Sequence, residues 1–159
     1  MTSDERKTLI DIIRKLPARV EAAVTTLSER QLDSPTAEHK WSIRQIVHHI
    51  ADAHMNGNVR MKLVVTENKP ILKPYDQDAW AMLEDTAKGS LRASLDIIRG
   101  LHERWAQFLE SLPEEAWTRE GIHLENGKVK LEDLLKTYAR HGENHLQQIL
   151  TYKQKNGIA

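Results

Sequence analysis

The chain has 159 residues, enough to bury one core and too few for two comfortable domains, so a single domain over 1–159 is expected. Its 23 Lys and Arg balance 23 Asp and Glu, and nothing in the net charge draws it toward nucleic acid or an anionic membrane. Cysteine is absent, which removes disulfides, thiolate metal sites and a cysteine nucleophile; without a run of about eighteen apolar residues or a charged-then-apolar leader at 1–18, a cytoplasmic protein is expected.

Thr2 and Glu5 have capping-box spacing before Ile10, Ile13, Leu16, Val20, Ala23, Val24 and Leu27, which recur at three and four and predict a first helix with Pro17 as a kink or break. A polar link through Asp33, Pro35 and Thr36 leads to Ser42 and Gln45, a second capping-box pair, and the spacing predicts a helix from Ser42 to about Val65. Asn68, Lys69 and Pro70 stop it. A loop over 70–78 and a short helix from Asp78 to Leu83 follow. Leu91, Leu95, Ile98, Trp105, Leu109 and Leu112 form a near-heptad stripe, predicting a helix over Lys88 to Leu112 that Pro113 ends. Asn126-Gly127 between Ile122, Leu124 and Val129 signals a tight hairpin of two strands. The last helix runs from about Leu131 to about Gln154, with Glu132 and Asp133 in its first turn. Four long amphipathic helices, with no internal repeat, predict an all-α four-helix bundle with a small β-hairpin before the last helix.

Five of the eight histidines cluster in two segments, His48, His49 and His54 in one and His141 and His145 in the other. His141 and His145 are four apart, so their imidazoles leave neighbouring turns of one face, beside Leu134, Tyr138 and Ile149. Two such nitrogens can approach one ion at about 2.0–2.1 Å. Gly142 leaves space between them at a cost of up to about 1 kcal/mol in helix propensity. A third ligand should come from the second helix, where rotation puts His54 near the centre of the apolar stripe, His49 on its shoulder and His48 toward solvent. Geometry leaves His54 and His49 both open, with a core histidine bonded to a backbone carbonyl as the alternative role for His54. His39, His102 and His123 are read as surface or loop residues.

Trp41 through Asn56, WSIRQIVHHIADAHMN, resembles the second-helix signature of DinB-like proteins. Lys73-Pro74-Tyr75-Asp76, Ala79-Trp80, Leu101-His102-Glu103-Arg104-Trp105 and the stretch Tyr138 to His145 extend the likeness to the YfiT-type candidate metal-dependent hydrolases, in matching order over most of the chain. The resemblance implies a DinB-type bundle, commonly a homodimer, with His49, His141 and His145 binding one divalent ion per subunit, zinc or nickel, and His54 as a neighbour or core residue. A shorter segment before the first helix and Lys130 in place of a small capping residue depart from the pattern; neither touches the ligands.

Three histidines with an open position describe a catalytic rather than a structural site. The resemblance offers hydrolysis, or transfer of a low-molecular-weight thiol such as bacillithiol to a small-molecule electrophile. Asp52, one turn beyond His49, is a candidate proton-handling group, as are Tyr75 and Asp76 on a loop that could close over the pocket with Trp80. Glu143 lies between the ligands but rotates away from them. The rival reading is a non-catalytic metal-binding or stress-response module; haem held by the histidine pairs is a third.

Overall fold

The computed structural model describes residues 1–37 and 40–158. Four long helices dominate: α1 (Ser3–Val24), α3 (Ile43–Thr66), α6 (Leu91–Glu110) and α7 (Leu131–Lys155), with short helices α2 (Glu29–Leu32), α4 (Gln77–Ala81) and α5 (Glu84–Lys88) in the connections. Both predicted capping boxes form: the Glu5 N–H donates to Thr2 Oγ1 at 3.2 Å, the Gln45 N–H to Ser42 Oγ at 3.2 Å, and each glutamate or glutamine oxygen accepts in return. Lys130, an unusual cap, is served instead from inside α7, where the Asp133 carboxylate accepts from its backbone N–H at 3.4 Å.

α1 and α3 each pack against both α6 and α7, which sets α1 diagonally across from α3. A diagonal step cannot be made by a short loop, so the α1–α3 link over 25–42 and the α6–α7 link over 111–130 are long and carry structure of their own. Two apolar clusters fill the interior. One gathers Leu16 and Val20 of α1, Val47 and Ile50 of α3, Ile98 of α6 and Leu146 and Ile149 of α7. The other gathers Ile10 and Ile13, Met61 and Val64, Trp105 and Leu109, and Leu131, Leu135 and Tyr138. Each fully buried aliphatic side chain here contributes about 1.5–3 kcal/mol. Gly57 of α3 is required by the second cluster, since a Cβ there would stand 2.6 Å from the Tyr138 ring.

Several expectations change. The small sheet has three strands: β2 (Glu120–His123) and β3 (Gly127–Lys130) form the predicted hairpin, with Gly127 at φ 72°, and β1 (Ile71–Leu72) adds parallel to β2 in the register Ile71↔Ile122. Two residues carry no periodicity to read, and pairing fixes β1 because Leu72 buries its side chain against the second cluster. The helix predicted over Asp78 to Leu83 is α4, which starts at Gln77 and ends at Ala81, and α5, which follows at Glu84–Lys88, was not expected. α2, with its Ser28–Gln31 capping box, lies in the link read as irregular. α6 begins three residues later than expected, at a Ser90 cap, and α1 runs unbroken through Pro17. Among the described residues no helix is long and apolar enough to cross a membrane.

Candidate metal centre

Between the two apolar clusters each long helix contributes a polar group. The His49, His141 and His145 side chains converge from α3 and α7, with one ligand nitrogen from each lying within 4.8 Å of the others. His49 Nε2 stands 2.9 Å from His141 Nε2, and the His141 and His145 ring centroids are 4.5 Å apart. Two nitrogens sharing one tetrahedral ion stand about 3.3 Å apart, so the set fits a divalent cation. Burial holds all three imidazoles neutral: His49 and His141 are each lowered to about 3, by desolvation first and then by His145, and His145 is lowered by desolvation. Neutral imidazole is the form that ligates. Trp41 lies against His49 at 4.6 Å between centroids. Gln148, three residues after His145, orders it: its Oε1 accepts from His145 Nδ1 at 3.0 Å, which leaves Nε2 without a proton.

Of the two candidates on α3, His49 is the one whose ring nitrogen falls within 4.8 Å of a nitrogen of both His141 and His145. His54 is fully buried and bonds two other histidines rather than a carbonyl: Nε2 meets His141 Nδ1 at 3.1 Å and Nδ1 meets His102 Nε2 at 2.8 Å. His102, expected on the surface, is fully buried, and its Nδ1 donates to the Ile13 carbonyl of α1 at 2.6 Å. His48 is also buried rather than solvated; its Nε2 faces the Gly89 carbonyl at 3.2 Å and its Nδ1 faces Ser94 Oγ at 2.7 Å. For His48 the rotation count assumed one buried face, whereas α3 is covered by α4, α5, α6 and α7 together; His102 is buried because α6 packs against both α1 and α3. His123, read as a surface or loop residue, is instead the last residue of β2 and is buried; its Nδ1 accepts from the Glu125 N–H at 3.3 Å. The reading of His39 lies outside the described residues. The room Gly142 leaves is not between His141 and His145 but is taken by α1 and α3: a Cβ there would meet Leu16 Cδ2 at 2.3 Å and His54 Cε1 at 3.2 Å.

Two concavities flank the triad. One, about 670 Å³, has His145, Trp41, Gln148 and Gln77 in its wall. The other, about 640 Å³, is lined by His141, Tyr75, Asp76, Tyr138, Arg60 and again Gln77. The Tyr75 ring lies tilted against Trp80 at 4.4 Å between centroids, and desolvation raises its phenol to about 12. Asp76 Oδ1 accepts from the Ala79 N–H at 2.9 Å, so this carboxylate also caps α4. Asp52 is half-buried on the side of α3 toward Asp85 and His48, its carboxyl raised by burial and then by Asp85. Glu143 is taken up by an ion pair with Arg19 of α1. Sequence reasoning missed Arg60, Gln148 and the role of His102; only Gln148, three residues after His145, had a readable spacing signal.

A bundle whose two central helices present three neutral histidines beside open pockets defines the class, and residues 12–149 match the DinB superfamily, to which this chain belongs. It is 32% identical over 158 residues to YfiT of Bacillus subtilis, named as a candidate metal-dependent hydrolase, covering 99% of this chain and 89% of that one. A candidate metal-dependent hydrolase of Bacillus cereus strain 03BB102 is 37% identical over 155 residues, covering 98% and 89%. The solved YfiT structure, described as having an unusual four-helix bundle topology, superposes with a TM-score of 0.97, covering 100% of this chain and 91% of YfiT. A mycothiol-dependent maleylpyruvate isomerase shares the fold at a TM-score of 0.62 and 18% identity, over 94% of this chain and 63% of its own.

Proposed function

We propose that this chain is a metal-dependent enzyme acting on small molecules, in which His49, His141 and His145 hold one divalent ion, zinc or nickel. The observation that carries the reading is the convergence of three neutral imidazoles from two helices at the meeting of two concavities. Three protein ligands leave positions open to reactants. When bound, such an ion lowers the pKa of a water or thiol and polarises a carbonyl near neutral pH. The protein does the rest: desolvation keeps the ligands unprotonated, and Tyr75, protonated at any working pH, can donate to a substrate oxygen. Asp76 holds the Tyr75–Trp80 wall in place by capping α4, and Asp52, its affinity for a proton raised, is the group nearest in character to a proton carrier.

Hydrolysis is the reaction class the relatives' names support. A second reading, transfer of an external thiol such as bacillithiol to an electrophile, draws on the paired concavities, one for each reactant. In either case the chain works as a homodimer in the cytoplasm, which light scattering and fractionation check.

Metal analysis of protein purified without a histidine tag tests the site: wild type should carry stoichiometric metal, and His145→Ala should lose it while keeping its helical circular dichroism. A hydrolase panel and a thiol-plus-electrophile assay then separate the reactions. Silence in both, relative to free metal, would leave a non-catalytic metal-binding module.

A further inference from the structure

We infer that Pro17, His102 and His54 form a proton-ordering relay that positions His141 for its ion, an inference that rests on the proposed metal site. Its origin is in α1. Proline has no N–H, so within a helix the carbonyl four residues earlier loses its regular donor. For Pro17 that carbonyl belongs to Ile13, and it is the one His102 Nδ1 reaches at 2.6 Å.

A carbonyl can only accept, so the His102 proton sits on Nδ1. In the neutral ring Nε2 must then accept, and the atom facing it at 2.8 Å is His54 Nδ1, which therefore carries the His54 proton. His54 Nε2 becomes an acceptor in turn, and at 3.1 Å it takes the proton on His141 Nδ1. His141 Nε2 is left as a bare lone pair, 2.9 Å from His49 Nε2 and turned toward the triad. One missing N–H on α1 thus fixes the tautomers of three histidines on α6, α3 and α7. Desolvation holds His102 neutral, so no second proton breaks the sequence at its start. Gly142 belongs to the device, since a side chain there would displace Leu16 and press on His54. Ligands oriented by such outer partners typically lose about 10–100-fold in metal affinity when the partner is removed.

The test uses the full chain. Long-range ¹⁵N correlation spectra of the histidine rings, recorded with and without Zn(II), should show protonated Nδ1 on His102, His54 and His141; protonated Nε2 on His102 or His54 would overturn the relay. Zn(II) competition against a chelator provides a second readout. His102→Leu removes the acceptor for His54, and affinity should fall about 10–100-fold. His102→Gln can donate its amide N–H₂ to the Ile13 carbonyl and accept from His54 through its oxygen, so affinity should return to within about threefold of wild type. Pro17→Ala restores a backbone donor that competes for Ile13 and should weaken binding in the same direction. Wild-type affinity in His102→Leu, with a native circular dichroism spectrum, would refute the idea. If wild type takes up no Zn(II), the metal reading fails while the ring spectra still decide the tautomers.

Discussion

Acidifying the metal-free protein should weaken its fold well before any ordinary carboxylate titrates. An unfolded histidine takes up a proton near pH 6.5, whereas His49 and His102, 3% and 0% exposed, are held by burial to about 3 and about 4. The unfolded chain therefore binds more protons through this window, and stability falls as pH drops from about 6.5 toward about 4. At about pH 5 each of the two contributes roughly 2 kcal/mol of loss at 1.36 kcal/mol per pKa unit. Together they reach roughly 4 kcal/mol, a large part of the about 5–15 kcal/mol typical of a domain. His54 and His141, also lowered, act in the same sense, while Asp52, its carboxyl raised, acts in the opposite one. Urea melts of chelator-treated protein, followed by circular dichroism from about pH 7 to about pH 5, measure the difference. A midpoint that does not move over that range would mean that the buried imidazoles are protonated in the fold or reached by water.

Gly57→Ala gains about 1 kcal/mol in helix propensity but drives a methyl into a Tyr138 ring that is buried and bonded to Arg60 at 2.9 Å. A net loss of about 1–2 kcal/mol, or roughly 2–8 °C in Tm, should appear in thermal melts; an unchanged or raised Tm contradicts the packing described. Ser42→Ala removes the acceptor for the Gln45 N–H and should cost about 1 kcal/mol by urea titration, with metal content unaltered. Tyr75→Phe keeps the ring on Trp80 but removes the phenol donor, so kcat should fall at least about tenfold with unchanged metal stoichiometry; equal kcat would remove Tyr75 from the reaction.

The four long helices were legible because each pairs a cap signal with sustained apolar spacing, as at Ser42–Gln45 and along Leu91 to Leu109. The His141 and His145 pair was legible from its spacing of four, and both residues are half-buried beside the stripe of α7 that contains Leu134, Tyr138 and Ile149. Rotation alone could not choose between His49 and His54. Both are buried, His54 at 0% and His49 at 3% exposure, and only the tertiary placement of α7 shows which of them meets the His141 and His145 rings together. His102 and His48 were misplaced because their burial depends on which helices close over them, information that periodicity along one helix does not contain. Pro17 was visible as an interruption, but the destination of the carbonyl it releases is a tertiary fact.

Apolar side chains tolerate sliding, and two greasy clusters stacked end to end say little about how far one rod should stand along another. The bond from His102 to Ile13 supplies that missing coordinate. Shifting α1 by one turn, about 5.4 Å, would offer the imidazole a carbonyl already engaged within its own helix and strand the one released by Pro17. The histidine layer therefore acts as a peg that locks the longitudinal position of the first helix, and a protein that loses it should become a looser, less singular assembly even where its helix content is preserved.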